Sequence, residues 1–455
     1  MSDSLLLRLD DEHRDVLRRC GSAAAGRGAR AYLVGGSVRD LVLQRPHDDL
    51  DVVVEGDGLG VAQDVARALG GELTRHHAFQ TAMVMTPRGL RLDVATARRE
   101  DYPRPGQLPR IVAGTLDEDL ERRDFTINAM AISLQSDGFG DFIDPQHGRA
   151  DLERGLLRVM HERSFADDPT RILRALRFAL RFGHALEVGT HRQMAEAIAG
   201  GYLDEVSGDR LRKEVRLTFG EVPVAGPIRL QDEGVLASLE EGLRADAARL
   251  GRLQELLAAT EETAGALGSS PDAGGNEHGD DGGDGGAAPG DAPDDPGTAA
   301  WTLVLACCAT DLGQQDRWQL ARRLRLSRAE RSALIESGAP WQKARAALLA
   351  DPGRLPADSD IERALRPLST GALLVAASAG APAEPTAEPV LRYLRELRQV
   401  RPLLDGDDLQ QLGVPPGPKI GELLEKLRAA RLDGAVNDRA GERRLVAAWM
   451  AAEPH

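Results

Sequence analysis

Asp49 and Asp51 flank Leu50 in DLDVVVEG (Asp49 to Gly56), an alternating, β-branched run that predicts a strand. Residues two apart on a strand project to one face, so the carboxylates sit side by side and repel unless a cation lies between them. An all-oxygen pair suits Mg2+ and has none of the softer ligands expected for zinc. Asp93, in RLDVATAR (Arg91 to Arg98), begins another predicted strand and could bring a third carboxylate. Taken alone, the Asp-x-Asp pair could equally be a solvated, acidic strand entrance.

Upstream, Gly35 and Gly36 close the apolar run AYLVGG and precede the helix-like VRDLVL. Amides without an obstructing Cβ at a helix start can cradle a phosphate, and the helix dipole favours negative charge there. Arg39 follows within one turn, ready to neutralise it. A glycine pair at such a junction is otherwise a tight turn; beside an Asp-x-Asp strand it describes a metal-bound nucleoside triphosphate.

A further polar pair lies in DDPTRILRALRF (Asp167 to Phe178). Asp168 and Arg171, three apart on one helical face, can present a fixed edge of acceptors and donors to a base. Cytosine and adenine both set an exocyclic amino donor beside a ring-nitrogen acceptor, so one edge can serve both and refuse uracil. The competing reading is a helix cap plus an intrahelical ion pair. Arg171, Arg174, Arg177 and Arg181 form a stripe at helical spacing, ordinarily a solvated face. Arg210 and Glu214 of RLRKE read first as an ion pair within a helix.

The elements that must position these groups change character along the chain. Up to about Pro145, short apolar runs (AYLVGG, DLDVVVEG, TAMVMTP, RLDVATAR) alternate with helix-like stretches such as VAQDVARALGG, which predicts a mixed α/β domain with a sheet. Beyond it the pattern is helical. Asp168 and Pro169 make a cap and first-turn pair for a helix over Arg171 to Gly183. The chain has 455 residues, enough for two or three domains, and only 4% aromatic residues, so few platforms for stacking bases. Its net charge is -15, but residues 269–300 hold eight acidic residues and no lysine or arginine, with nine glycines and four prolines. That window is expected to be an acidic, disordered spacer. Three cysteines and no long apolar run point to a reducing, cytoplasmic setting without a membrane.

LVGGSVRD, DLD, ERRDFTINAMA (Glu121 to Ala131) and DDPTRILRALRF, in that order, resemble the bacterial and eukaryotic class of tRNA nucleotidyltransferases, the CCA-adding enzymes, and the similar bacterial poly(A) polymerases. The resemblance is strong over residues 30 to 215, and it returns in the segment Asp405 to Gly434. It implies an α+β nucleotidyltransferase-fold head with a mixed sheet at 1–155 and an all-helical neck (156–225), body and tail. The body would begin at 226–268 and, with the tail, continue through a tRNA-binding 301–455. It carries the metal carboxylates onto Asp49 and Asp51, and the triphosphate glycine and arginine onto Gly36, beside Gly35, and Arg39. Nucleotide contacts fall on Arg123, Asp124 (for the ribose hydroxyl), Asp168 and Arg171 (for the base), Arg174 and Arg177. Position 167 departs from the family's usual Glu-Asp-x-x-Arg by carrying Asp.

What these residues imply is Mg2+-dependent transfer of a nucleoside monophosphate from CTP or ATP to the 3′ end of tRNA, releasing pyrophosphate. Within that chemistry stand full CCA addition, A-only addition, poly(A) addition and CC-only addition. The last is disfavoured because the segment between Arg98 and Arg122 is not shortened, and DVATARREDYPRPG resembles the subgroup that includes A-adding enzymes. From another class, an inactive RNA-binding scaffold would need a broken Asp-x-Asp. No obligate protein partner is evident.

Overall fold

The computed structural model describes residues 5–46, 49–77, 80–102, 106, 109–267, 300–351, 356–379 and 386–452. They form two compact units, Met1–Val222 with Glu233–Ser238, and Pro223–Asp232 with Leu239–His455. The stretch expected as a head and most of that expected as a neck lie in the first unit. The expected acidic spacer, apart from Ala300, lies outside the described residues.

In the first unit α1 (Asp11–Gly26), β1 (Arg30–Val34), α2 (Gly35–Val42), β2 (Asp49–Glu55) and α3 (Gly58–Leu69) lead into β3 (Glu72–His76), β4 (Thr81–Met85) and β5 (Arg91–Thr96). The hairpin β6 (Arg98–Asp101) and β7 (Arg110–Ala113) and the helix α4 (Leu116–Glu121) precede β8 (Ala131–Ser133) and β9 (Phe142–Ile143). The seven-stranded sheet runs β3-β4-β5-β2-β1-β8-β9. It is mixed, as expected: β2 and β5 are parallel, and the other neighbours are antiparallel. The parallel register sets Asp51 opposite Asp93 and Asp49 opposite Arg91.

Alternation along these strands separates core from site. Leu50, Val52 and Val54 of β2 and Leu92 and Val94 of β5 are buried on one face, each contributing roughly 1.5–3 kcal/mol by leaving water. On the other face Val53 and Ala95 pack with Leu116 and Leu120 of α4. The three carboxylates occupy the end of that face that α4 does not seal. The strand β1 stops at Val34, and both glycines open α2, Gly35 with φ 65°.

The chain continues through α5 (Gly148–Arg154), β10 (Leu156–Leu157), α6 (Ser164–Asp167), α7 (Thr170–Phe182), β11 (Ala185–Leu186), α8 (Val188–Ala199) and α9 (Gly208–Glu221). Asp168 starts α7 by accepting a bond from Thr170 N at 3.0 Å, and Gly183, at φ 68°, ends it. Apolar Ile172, Leu173, Leu176 and Phe178 are buried along α7, and so are Arg171 and Arg177.

In the second unit, short helices α10 (Ala225–Asp232) and α11 (Val235–Leu239, its last residue only) precede α12 (Ala247–Leu267), α13 (Ala300–Cys308), α14 (Gln314–Arg323) and α15 (Arg328–Glu336). The helix α13 is apolar all round and buried. Arg317 of α14, also fully buried, donates to the carbonyls of Thr310, Leu312 and Leu334 at 3.0, 3.0 and 2.8 Å and to Ser337 Oγ at 3.0 Å. Further helices run to Ala452; the turn with Gly413 and Gly417 at positive φ precedes the one that starts at Pro418. Among the described residues no helix is long and apolar enough to cross a membrane.

Close packing of α1 on the sheet depends on Gly21, where an added Cβ would land on the carbonyl oxygen of Leu134. Gly21→Ala is expected to cost about 1–3 kcal/mol through overpacking. Denaturant titration checks it; an unchanged midpoint would contradict this packing.

Candidate active site

The fold places the two sequence motifs against each other through Ser37, in the first turn of α2. Its Oγ accepts from Asp51 N at 2.9 Å and lies 3.5 Å from Asp51 Oδ2. Gly36 lies alongside; a Cβ there would come within 3.8 Å of Asp51 Oδ2. Gly35 must be glycine on two counts: its positive φ, and Arg123 Nη1, which would lie 2.5 Å from an added Cβ.

Burial, then Asp49 and Asp93, push the Asp51 carboxyl up to about 6. Three carboxylates with so little compensating charge fit a divalent cation, which would remove the repulsion. Asp93 is partly engaged already, receiving Arg91 Nε at 2.9 Å. Among the described residues no three His, Cys, Asp or Glu side chains converge closely enough to enclose an ion. A divalent cation between Asp49 and Asp51 would leave coordination positions for water and phosphate oxygens, which suits Mg2+.

Beside this face a cleft of about 390 Å3 is lined by Gly36, Arg39, Arg123, Asp124, Arg174 and the pair Asp168 and Arg171, among others. Asp119, fully buried, organises its arginines: Arg122 Nη2 donates to it at 2.6 Å and Arg123 Nη2 at 2.8 Å. Burial alone would raise the Asp119 carboxyl, but Arg123 and Arg122 hold it below the ordinary range. Arg123 Nε is buried with no partner among the described residues, a donor suited to a phosphate oxygen. Asp124 receives Arg174 Nε and Nη2 at 2.9 and 2.5 Å and the Asn128 amide at 2.9 Å. Against the effect of burial, Arg174 and Asn128 hold its carboxyl at about 2.

Asp168 and Arg171 line the same cleft but do not pair, which removes the intrahelical ion pair as their explanation. Asp168 Oδ1 receives Thr170 Oγ1 and Arg210 Nη2, both at 2.6 Å; Oδ2 has no partner among the described residues. Arg171 Nη2 is fixed on the Arg122 carbonyl at 2.8 Å. The result is an acceptor and a guanidinium held at one wall, the arrangement a base edge requires.

The other arginines singled out in the sequence already have partners within the protein. Arg39 is buried, bound to Asp40 at 2.9 Å and to Asn128 Oδ1 at 2.7 Å, with its guanidinium 4.6 Å from the Phe182 ring centroid. Arg177 does not line the cleft; it donates to Glu221 at 2.9 Å and Glu214 at 3.2 Å. The Arg210 to Glu214 pair does not form, because Arg210 turns to Asp168 and the Gly106 carbonyl at 3.0 Å. Ser37, Asp119 and Asn128 went unread. Asp119 stands three and four residues before Arg122 and Arg123, a spacing visible in sequence; Ser37 and Asn128 have no such signal.

The Poly A polymerase head domain family matches residues 31–158. The chain is 33% identical over 438 residues to the A-adding tRNA nucleotidyltransferase of Geobacter sulfurreducens, covering 94% of this chain but 46% of that protein. It therefore spans about half the length of that relative. To the CC-adding tRNA nucleotidyltransferase of Deinococcus radiodurans it is 32% identical, over 95% of this chain and 93% of that one. The Thermotoga maritima CCA-adding enzyme, solved with tRNA_CCA, superposes with a TM-score of 0.74 at 29% identity, covering 99% and 98% of the two chains.

A carboxyl raised in the folded state binds its proton more tightly there, so the ionised form of Asp51 costs stability above about pH 6. Asp51→Asn should stabilise the protein in chelator at pH 7 by about 1–2 kcal/mol, after discounting for solvent access. The advantage should shrink as pH falls toward 4, the ordinary carboxyl value. Thermal melts across that range check the sign; an Asn variant less stable at pH 7 would contradict it.

Proposed function

Because the chain belongs to the class II CCA-adding and poly(A) polymerase nucleotidyltransferase family, we propose that it completes the CCA terminus of tRNA without a template, using CTP and ATP. The observation that carries this reading is the single cleft in which the Asp168 and Arg171 edge faces the arginines beside the Asp49 and Asp51 strand face. Base choice and phosphate handling share one pocket, and no protein side chain there is placed as a nucleophile. A cytoplasmic location is supported by the three free, buried cysteines.

In the proposed reaction the oxygen of the RNA 3′-hydroxyl forms a bond to the α-phosphorus. The bond from that phosphorus to the oxygen bridging to the β-phosphate breaks, pyrophosphate leaves, and the hydroxyl proton passes to solvent. Asp49 and Asp51 would hold Mg2+, the proposed cofactor, which would supply charge to lower the hydroxyl's proton affinity and neutralise the triphosphate. The Gly35 amide donates to the Met130 carbonyl at 3.2 Å, so the Gly36 amide at the start of α2 and the Arg123 guanidinium hold the phosphate oxygens. Asp168 Oδ2 accepts from the exocyclic amine of cytosine or adenine, and Arg171 donates to the ring nitrogen beside it. Uracil, with a carbonyl where the amine should be, meets acceptor with acceptor. Arg174 holds Asp124 ionised at the ribose end.

A second reading, addition of the terminal A alone, is favoured by the Geobacter sulfurreducens relative, which is itself A-adding. Purified protein offered tRNAs ending before CCA, after C and after CC, with each nucleotide separately, distinguishes the two. Incorporation of C on the shortest tRNA together with A on the CC-ended one supports CCA completion, C without A overturns it in favour of CC addition, and A on the CC-ended tRNA alone supports the second reading. Extension of none of them, with Mg2+ present, would remove both. Asp168→Ala should lose about 1–3 kcal/mol of discrimination, raising UTP and GTP relative to CTP and ATP. Single-nucleotide incorporation normalised to folded protein measures this; unchanged nucleotide choice would leave the carboxylate a cap only.

A further inference from the structure

Aromatic residues make up only 4% of the chain, and among the described residues two of them line the cleft, Tyr102 and Phe178. The ring of Phe178 is already covered. It is 6% exposed, meets the Phe125 ring edge-on at 5.8 Å between centroids, and has the guanidinium groups of Arg177, Arg174 and Arg39 at 4.9, 5.3 and 5.8 Å from its centroid. Tyr102 is half-buried and differently held. Alternation along β6 puts Arg98 and Glu100 on one face and the exposed Arg99 and Asp101 on the other. Tyr102, directly after β6, joins the first pair by donating its hydroxyl to Glu100 Oε2 at 2.6 Å. Glu100 is itself anchored: its side chain is 7% exposed, and its other oxygen receives Arg98 Nη2 at 2.8 Å and Arg122 Nη1 at 3.2 Å.

With the hydroxyl turned to Glu100, what Tyr102 offers the cleft is its ring. Burial and the Glu100 bond hold the phenol well above its ordinary range, so it stays neutral. The charges of Arg171 and Asp168 act on the same hydroxyl in opposite senses, which sets the phenol beside the wall that reads the base. Asp168 and Arg171 can bond only to the rim of a base and leave both of its faces to water. Hydrogen bonds exchanged with water gain little net, whereas an aromatic ring laid on a base face contributes more and does so whatever the base. The neighbouring guanidinium groups are committed to ion pairs, Arg122 and Arg123 with Asp119 and Arg174 with Asp124.

We infer that Tyr102 is the platform on which the base of the incoming nucleotide stacks while Asp168 and Arg171 read its edge. It rests on the reading that CTP and ATP are the substrates, and it adds a contact that weighs them differently, because the larger ring system of adenine overlaps the phenol more than cytosine does. The test measures equilibrium binding of ATP and of CTP to the full chain with Mg2+ and without RNA. Tyr102→Leu should raise Kd for ATP at least fivefold and Kd for CTP by a smaller factor. Tyr102→Phe, which keeps the ring, should stay within twofold of the parent for both. Trp301, Trp318, Trp341 and Trp449, the four tryptophans of the chain, all lie in the second unit, so Tyr102→Trp adds an indole reporter at the cleft. ATP should quench its emission, with no comparable change in the parent. A Tyr102→Leu variant that keeps the parent's melting temperature and ATP Kd would overturn the inference, as would equal loss for the two nucleotides. So would a Phe variant as weak as the Leu one, which would assign the effect to the hydroxyl. If the Leu variant does not fold, the Trp variant decides: emission indifferent to saturating ATP overturns the platform, and quenching sustains it. A parent that binds both nucleotides yet extends no tRNA would defeat the functional reading alone, and the binding comparison would still decide the role of Tyr102; a parent that binds neither would overturn both.

Discussion

The ion pair between the buried Asp124 and the half-buried Arg174 fixes the geometry around the cleft. Asp124 follows the arginine turn after α4, and Arg174 lies on α7, fifty residues later, so two strong bonds hold the sheet's loops to the helix. Arg171, one turn earlier on α7, adds a bond to the Arg122 carbonyl. A buried pair contributes little net stability over an apolar one, but losing a single partner costs about 3–5 kcal/mol because the other charge is left uncompensated. Its effect here is registration: the wall that presents Asp168 cannot slide against the loop that presents Arg123.

That registration permits a dense array of charge without a large penalty. Asp119 is compensated by two arginines, Arg174 by Asp124, and Arg177 by Glu214 and Glu221. Around the cleft itself, three groups are left without full compensation. Among the described residues Arg123 Nε has no acceptor and Asp168 Oδ2 no donor, and Asp51 is crowded by Asp49 and Asp93. Buried polar groups are ordinarily paired, and these three are matched in kind by an anion, a base amine and a cation.

Much of this was legible because strand periodicity is short-range. The Asp49 and Asp51 pair, the glycine turn and the strand bearing Asp93 follow from alternation and turn chemistry, and the parallel pairing of β2 and β5 then aligns Asp51 with Asp93. β3 was not legible: ELTRH exposes most of its side chains and has no apolar alternation to detect. The partners of the arginines on α7 were equally hidden. Arg177 reads as part of a solvated stripe, yet α9 brings Glu214 to it from thirty-seven residues away. For the same reason Arg210 and Glu214, correctly spaced for each other, separate: Glu214 meets the buried Arg177 and Arg210 the half-buried Asp168, and such partners outweigh a pair worth a few tenths of a kcal/mol.

Position 167 shows how this geometry bears on base choice. The family pattern has Glu before the Asp that Asp168 matches, and the shorter Asp167 raises the question whether the base edge is displaced. In the structure Asp167 closes α6 and faces Arg163 at 3.3 Å and His161 at 3.9 Å, and it does not line the cleft. The orientation of the edge depends on bonds that do not pass through it: Arg210 and Thr170 on Asp168, and the Arg122 carbonyl on Arg171. Removing one methylene at 167 therefore shortens the reach toward the exposed Arg163 and the His161 ring and leaves the acceptor and donor at the wall where they were.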